Sequence, residues 1–342
     1  MPQREQRHQD IRQFVIDRVR EHPQDIAALV ADHFGISRQA AVRHLQRLQS
    51  AGVLSAHGET RARRYELLPV KEASFTYAIM PDLAEDKVWR QDIASLLIGL
   101  RDNVRQICNY GFTEIFNNAL EHSEGSSISV EVRLWPDVLD IDIHDNGVGV
   151  FHKIQRDLGL DDPLHAILEL SKGKLTTDPR RHSGEGIFFT SRTVDQFALF
   201  SGRLSFVRLP SGTDCLFEEQ DAVTGTQVKM QVKLSTERTT QSVFAQYSIE
   251  DFAFDRTIVP VRLAQYGPEN LVSRSQARRL LARFDRFKEV VLDFARVDFI
   301  GQAFADEIFR VYAREHPQVA LRWTNATDEV AGMIGRVQRA EG

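Results

Sequence analysis

The stretch FTEIFNNALEHS (112–123) decides how the middle of this chain is read. Its apolar residues Phe112, Ile115, Phe116, Ala119 and Leu120 recur at helical spacing, which predicts one stripe turned toward a core. Glu114, Asn118 and His122 fall at i, i+4 and i+8, so they form a second, polar stripe down the same helix. An ordinary exposed face would carry Lys–Glu pairs. A carboxylate, a carboxamide and an imidazole in line ask instead for a ligand. One helical step of about 100° turns Asn117 off that stripe and predicts no ligand role for it.

Two segments with period-two alternation follow, ISVEVRLW (128–135) and VLDIDIHD (138–145), and predict strands with one buried face. The second runs straight into DNGVG (145–149), a carboxylate at a strand end followed by spaced glycines. Such glycines let backbone approach another group closely. SGEGIFFTSRTV (183–194) repeats the device, with Gly184 and Gly186 ahead of an apolar helix whose bare amides would favour an anion. GTQVKMQVKL (225–234) predicts a last strand introduced by Gly-Thr. Upstream, SFTYAI predicts a strand, and helices are expected across 82–122.

Any one of these motifs would pass as an ordinary turn. Their order is more specific: polar-striped helix, DxGxG after a strand, GxG before a helix, GT before a strand. That order resembles the GHKL (Bergerat-fold) ATPases, which include gyrase, histidine kinases and MutL, and most closely their anti-sigma-factor kinase branch. The resemblance covers roughly residues 75–235 and implies an α/β sandwich that binds ATP and Mg²⁺. It makes Asn118 the Mg²⁺ ligand, through a hard amide oxygen. It makes Glu114 the residue that orients or deprotonates the attacking water or hydroxyl. His122 would lie near the phosphates, Asp145 would accept from the adenine amino group, and Gly147 and Gly149 would pass close to base and ribose. Gly184 and Gly186 would wrap the triphosphate, and Thr226 would stand near adenine. The segment 152–183 resembles a nucleotide lid, with Lys172, Lys174 and Thr176 as candidate phosphate contacts. The glycine motif is GEGIFF rather than the commoner GxGL, and no phosphoacceptor His helix precedes it, which argues against a sensor histidine kinase.

The 342 residues suffice for two or three domains with separate cores. Apolar content of 42% and charged content of 27% are those of a soluble globular protein. Two cysteines far apart, with no CxxC, exclude a disulfide framework or a zinc module. The polar start MPQREQRHQD lacks the apolar core of a signal peptide, and no run approaches the roughly 20 apolar residues of a membrane span. A cytoplasmic protein without membrane contact is expected. The net charge of −5 gives no overall reason to expect nucleic acid, yet residues 1–68 hold 11 Arg and no Lys against 8 acidic residues. A basic head on an acidic body points the head at phosphate.

That head predicts helices over 10–21, 25–34 (Asp25 as N-cap) and 37–52 (Ser37 as cap), with Gly35 at the turn between the last two. Ala41, Leu45 and Leu48 form the inward stripe, which leaves Arg38, Gln39, Arg43 and Arg47 outward. VLSAHGETRARRYELL (53–68) follows as strand, tip and strand, bearing Arg61, Arg63 and Arg64. The whole resembles the winged helix-turn-helix of bacterial transcription regulators, which implies duplex DNA as partner. The alternative is a small helical interaction domain with a solvated Arg surface.

The tail alternates strand and helix and predicts a small α/β layer. VDFIGQAFADE (297–307) resembles the STAS domains of anti-sigma-factor antagonists, and more closely a STAS-like family of unknown function marked by Phe-Ala-Asp-Glu, here Phe304–Glu307. The antagonists' phosphorylated Ser would correspond to Gln302, which has no hydroxyl, so the resemblance implies a docking surface. Asp306 and Glu307 read as a helix-surface carboxylate pair.

The expected fold class is thus multidomain α+β: a winged helix (1–69), a Bergerat-type ATP-binding domain (70–236) and a small STAS-like α/β domain (245–342). The expected function is an ATP-gated transcription regulator, homodimeric by resemblance. The alternatives are a serine/threonine kinase acting on a STAS or other regulatory partner, and a nucleic-acid maintenance or defence ATPase.

Overall fold

The computed structural model describes residues 2–59, 62–175, 184–249, 253–265 and 270–339. The first unit contains α1 (Pro2–Arg18), α2 (Ile26–Phe34), α3 (Arg38–Ser50) and an antiparallel pair, β1 (Leu54–His57) with β2 (Arg64–Leu67). Ile11, Val15, Ile26, Val30, Ala41, Leu45, Tyr65 and Leu67 close its core. Ser37 accepts from the Ala40 amide (3.2 Å), and Gly35 ends α2 in the left-handed region (φ 60°). Two expectations fail here. α1 begins near residue 2 rather than 10, because its first turns are polar all round and show no period. The Asp25 carboxylate makes no cap bond and pairs instead with His22 (3.1 Å).

The middle unit is a five-stranded antiparallel sheet in the order β3 (Lys71–Ala78), β4 (Ser127–Leu134), β5 (Val138–Asp145), β7 (Asp214–Lys233), β6 (Gln196–Arg208). Alternation builds its two faces. Ile128, Val130, Ile141, Ile143, Val228 and Met230 are buried under helices. Opposite, Asp140, Asp142, Gln227 and Gln231 meet in side-chain hydrogen bonds of 2.8–3.0 Å. The helical layer comprises α4 (Glu85–Val88) and its irregular continuation to Leu97, then α5 (Asp102–His122), α6 (Val150–Leu158), α7 (Pro163–Lys172) and α8 (Gly186–Thr193). α5 carries the opening stretch and lays Phe112, Ile115 and Phe116 on the sheet. Two helices, α6 and α7, occupy much of the segment read from sequence as a nucleotide lid, and β6 was not anticipated.

After α9 (Thr240–Gln246) comes a parallel sheet in the order β10 (Ala320–Thr324), β9 (Glu289–Asp293), β8 (Arg256–Pro260). It packs with α10 (Arg274–Leu281), with α11 (Gln302–Asp306) continued by a wide turn at Glu307–Tyr312 into α12 (Ala313–Glu315), and with α13 (Asp328–Arg339). Phe304, Ile308, Phe309 and Tyr312 point inward, as their spacing predicts. This core does not stop at the unit's edge: Leu168 of α7 and Phe188 and Phe189 of α8 belong to it. Among the described residues no helix is long and apolar enough to cross a membrane. Both cysteines are buried free thiols.

Candidate functional site

A cavity of about 370 Å³ opens where α5, the end of β5, α6 and the start of α8 converge. α5 contributes Glu114, Asn118 and His122, the three residues of its polar stripe, to one wall. Asn117, one step off that stripe, also lines it, because the cavity wraps around more of the helix than one stripe.

Asp145 ends β5 at the floor and is 5% exposed. Its Oδ1 accepts from the amides of Gly147 (2.9 Å) and Thr226 (3.2 Å). Burial pushes its pKa above the usual carboxylate range, and these hydrogen bonds hold it back. The Thr226 hydroxyl in turn accepts from the Val150 amide (2.9 Å), tying β7 to the start of α6. Gly149, also on the wall, has φ 86° and stands where a Cβ would strike the Ser201 hydroxyl, so only glycine suits that turn. Gly147 does not line the cavity; it lies against the Ser123 carbonyl and serves through its amide.

Gly184 and Gly186 border the cavity at the start of α8. A Cβ on Gly186 would collide with the Glu114 carboxylate, so the polar stripe of α5 and the N-terminus of α8 are in direct contact. The sequence reading missed Lys153 and Asp157, one turn apart on α6 and both on the wall. Lys153 bridges Asp157 (3.3 Å) and Glu124 (3.2 Å), and Glu124 also accepts from Arg156 (2.6 Å). Among the described residues the wall holds four carboxylates, those of Glu114, Asp145, Asp157 and Glu185, against one lysine and one histidine. Among the described residues no group of three or more His, Cys, Asp or Glu is placed to hold a metal ion.

Two predicted phosphate contacts are elsewhere. Lys172 is fully buried, and its amine donates to Glu169 (2.5 Å) and to the carbonyls of Ala282 (2.9 Å) and Arg279 (3.1 Å). Lys174 donates to the Arg286 carbonyl (2.8 Å) and sits over the rings of Phe287 (4.8 Å) and Phe254 (5.5 Å). Both lysines therefore face the C-terminal unit. Thr176 lies outside the described residues.

Residues 276–331 match the model of a family described as a STAS-like domain of unknown function (DUF4325). No curated protein matches the chain. Within the STAS-like domain Gln302 opens α11 on the surface. Asp306 and Glu307 do not form a surface pair. Glu307 is 6% exposed and accepts from Arg278 (2.6 Å), while Asp306 accepts from Arg310 (2.5 Å). Glu307 thereby ties the continuation of α11 to α10, and Asp306 is engaged by its own helix and by Arg274 of α10 (3.4 Å).

In the first unit Arg38, Gln39, Arg43 and Arg47 are exposed on α3. Arg47 donates toward His8 (3.3 Å), and His8 meets His44 (3.3 Å). Arg63 is partly committed to the fold, with its guanidinium over Tyr65 (5.4 Å) and reaching Gln49 (3.5 Å). Arg64 is exposed on β2, and Arg61 lies outside the described residues.

Proposed function

We propose that this chain is a DNA-binding transcription regulator in which a GHKL-type unit takes Mg-ATP and passes that occupancy to the flanking units. The observation that carries the reading is convergence. Glu114, Asn118, Asp145, Gly184, Gly186 and Thr226 come from separate parts of the sequence and border one cavity. Its volume suits a small molecule, since ligand clefts measure roughly 300–1,000 Å³.

Asp145 would accept from the base's exocyclic amine, while its backbone partners hold it in place. The amides at the start of α8 would face the phosphates. Asn118, with a hard oxygen on the same wall, would hold Mg²⁺. That ion keeps waters and phosphate oxygens as ligands, so an all-protein cage is not needed. The excess of carboxylates among the described wall residues fits this reading, because a bare triphosphate would be repelled and its magnesium complex less so. Glu114, packed against Gly186, is where a base would be needed to direct water at the terminal phosphate. The first unit, proposed as a winged helix, would present Arg38, Gln39, Arg43 and Arg47 to a DNA groove.

The test has two stages. Mg-ATP should raise the melting temperature, since a ligand of the native state stabilises it by mass action. Operator affinity should then differ among ATP, ADP and no nucleotide, because equal affinity for both states shifts nothing. No thermal shift would refute the nucleotide site, and three identical operator curves would refute the switch. The competing kinase reading makes a different product: label from γ-phosphate-labelled ATP would appear on a separate STAS partner. It would not appear on this chain's own domain at Gln302, which offers no hydroxyl.

A further inference from the structure

We infer that the STAS-like domain is a working part of the nucleotide site, with Arg283 as a positioning residue for the turn at 173–175 that forms part of the cavity wall. The inference rests on the nucleotide reading above and assigns a task to a domain of unknown function. Leu170 and Leu175 line the cavity. Between them, α7 ends and the chain turns, and each carbonyl at 172–174 is held by a side chain from the C-terminal unit. Thr257 of β8 donates to the Lys172 carbonyl (2.8 Å). Arg283 donates to the carbonyls of Gly173 (2.9 Å) and Lys174, and Arg286 adds a bond to the latter (3.0 Å).

The grip is reciprocal. Lys172 donates to carbonyls at 279 and 282, Lys174 to the carbonyl at 286, and Glu169 accepts from Arg283 (2.7 Å). Leu175, the next residue, donates its amide to the Gly184 carbonyl (3.0 Å), so the held turn also fixes the approach to α8.

A simpler account would make these bonds a helix C-cap, since the last carbonyls of α7 need donors and favour cations. Two features go further. The bonds extend past the helix end to Lys174, which is already in the turn. Arg283 also occupies the left-handed region (φ 67°), as does Lys174 (φ 51°). A non-glycine residue there carries strain that the surroundings must impose. An arginine stands at a position where glycine would be easier, and its side chain makes the contact.

The test uses the full chain and two readouts. Arg283→Lys keeps the charge and loses the forked contact to two carbonyls. It should speed hydrogen exchange at the Leu175 amide and weaken Mg-ATP binding roughly tenfold, a typical coupling between sites. Arg278→Ala is the control: it loosens the same domain at Glu307 and has no bond to α7, so it should leave both readouts unchanged. If Arg283→Lys does not fold, Thr257→Val removes only the hydroxyl bond to Lys172, and the same two changes are expected, smaller in size. Wild-type exchange and affinity in a folded Arg283→Lys would overturn the inference, and so would equal effects of Arg278→Ala. Should the wild type bind no Mg-ATP, the nucleotide reading fails alone, and exchange at Leu175 still decides whether Arg283 holds the turn.

Discussion

Replacing Asp145 by Asn separates the proposed ligand role of this residue from its structural one. Oδ1 accepts from two amides, at 2.9 and 3.2 Å, and a carboxamide oxygen can keep both bonds. Ala would strand two buried amides at a cost of about 1–3 kcal/mol each, so loss of fold would obscure loss of binding. On the proposed reading Asn instead turns the second carboxylate oxygen, the acceptor for the adenine amine, into an NH₂ donor. A hydrogen bond to a charged group is worth about 1.5–3 kcal/mol, which is roughly 10- to 150-fold in Kd. Guanine presents a carbonyl at the corresponding position, so Asp145→Asn should lose Mg-ATP affinity and gain relative preference for Mg-GTP. Titration calorimetry with both nucleotides measures this, with urea unfolding as a check on the fold. The same geometry gives a pH dependence. Burial raises the Asp145 pKa, so acidification should begin to remove the acceptor at a pH above the usual carboxylate range. ATP affinity of the wild type should fall there, while that of Asp145→Asn stays flat. A variant that binds Mg-ATP within about twofold of wild type would refute the assignment of the base contact.

Glu114→Gln should still bind Mg-ATP and lose hydrolysis by about 100-fold or more, the scale of general-base effects, as read by phosphate release. Gln39→Ala or Arg43→Ala should reduce discrimination between operator and random DNA by about 1–3 kcal/mol per lost base contact, whereas Arg64→Ala should weaken both and flatten the salt dependence. Burial pushes the Lys172 amine down to about 8, so between that pH and its unfolded value the unfolded chain binds the extra proton. Wild-type stability should therefore rise with pH across that window relative to Lys172→Met, and parallel denaturation curves would show that Lys172 does not titrate there.

Much of the site could be read from sequence because local pattern sets it. Helical phase puts Glu114, Asn118 and His122 on one stripe of α5, and strand alternation puts Asp145 at the end of β5. What was missed depends on distant partners. Lys172 sits in a run rich in Gly, Lys and Thr that reads as solvated loop. Its burial is set by carbonyls more than 100 residues later, at Arg279 and Ala282. Glu307 reads as surface because its helix looks amphipathic without it, and only the arrival of α10 with Arg278 encloses it. β6 escaped notice because FALFSGRLSFVR mixes apolar runs with a glycine, and the strand bulges at Ser201–Gly202. Lys153 and Asp157 look like an ordinary i,i+4 surface pair, and only the turn of α6 over the cavity gives them another place.

The two flanking units are attached to the cavity by contacts of different kinds. The first unit meets the sheet through Arg20, which pairs with Asp137 (2.9 Å) and lies over Trp135 (5.1 Å). The arginine side chain is 44% exposed, and an ion pair of that sort is worth about 0–1 kcal/mol. From Asp137 to Asp145 runs the whole of β5, roughly 27 Å at about 3.4 Å per residue. At the other end, Lys172, Glu169 and Arg283 form a buried network of two cations and one carboxylate, completed by backbone carbonyls. Apolar side chains in the same space would be as stable or more so, because desolvation offsets much of what buried charges gain. What apolar packing would not fix is register: Lys172 is matched to the carbonyls of Arg279 and Ala282, and Arg283 to those of Gly173 and Lys174. A displacement of the STAS-like domain therefore has to move the turn before Leu175 or break charged hydrogen bonds. A displacement of the first unit has to break that ion pair and the packing of Trp135 on the unit's core, and none of these residues lines the cavity. On the proposed reading, occupancy of the cavity is coupled firmly to the STAS-like domain and loosely to the DNA-binding unit, so a partner that engages the STAS-like domain would have the stronger influence on nucleotide affinity.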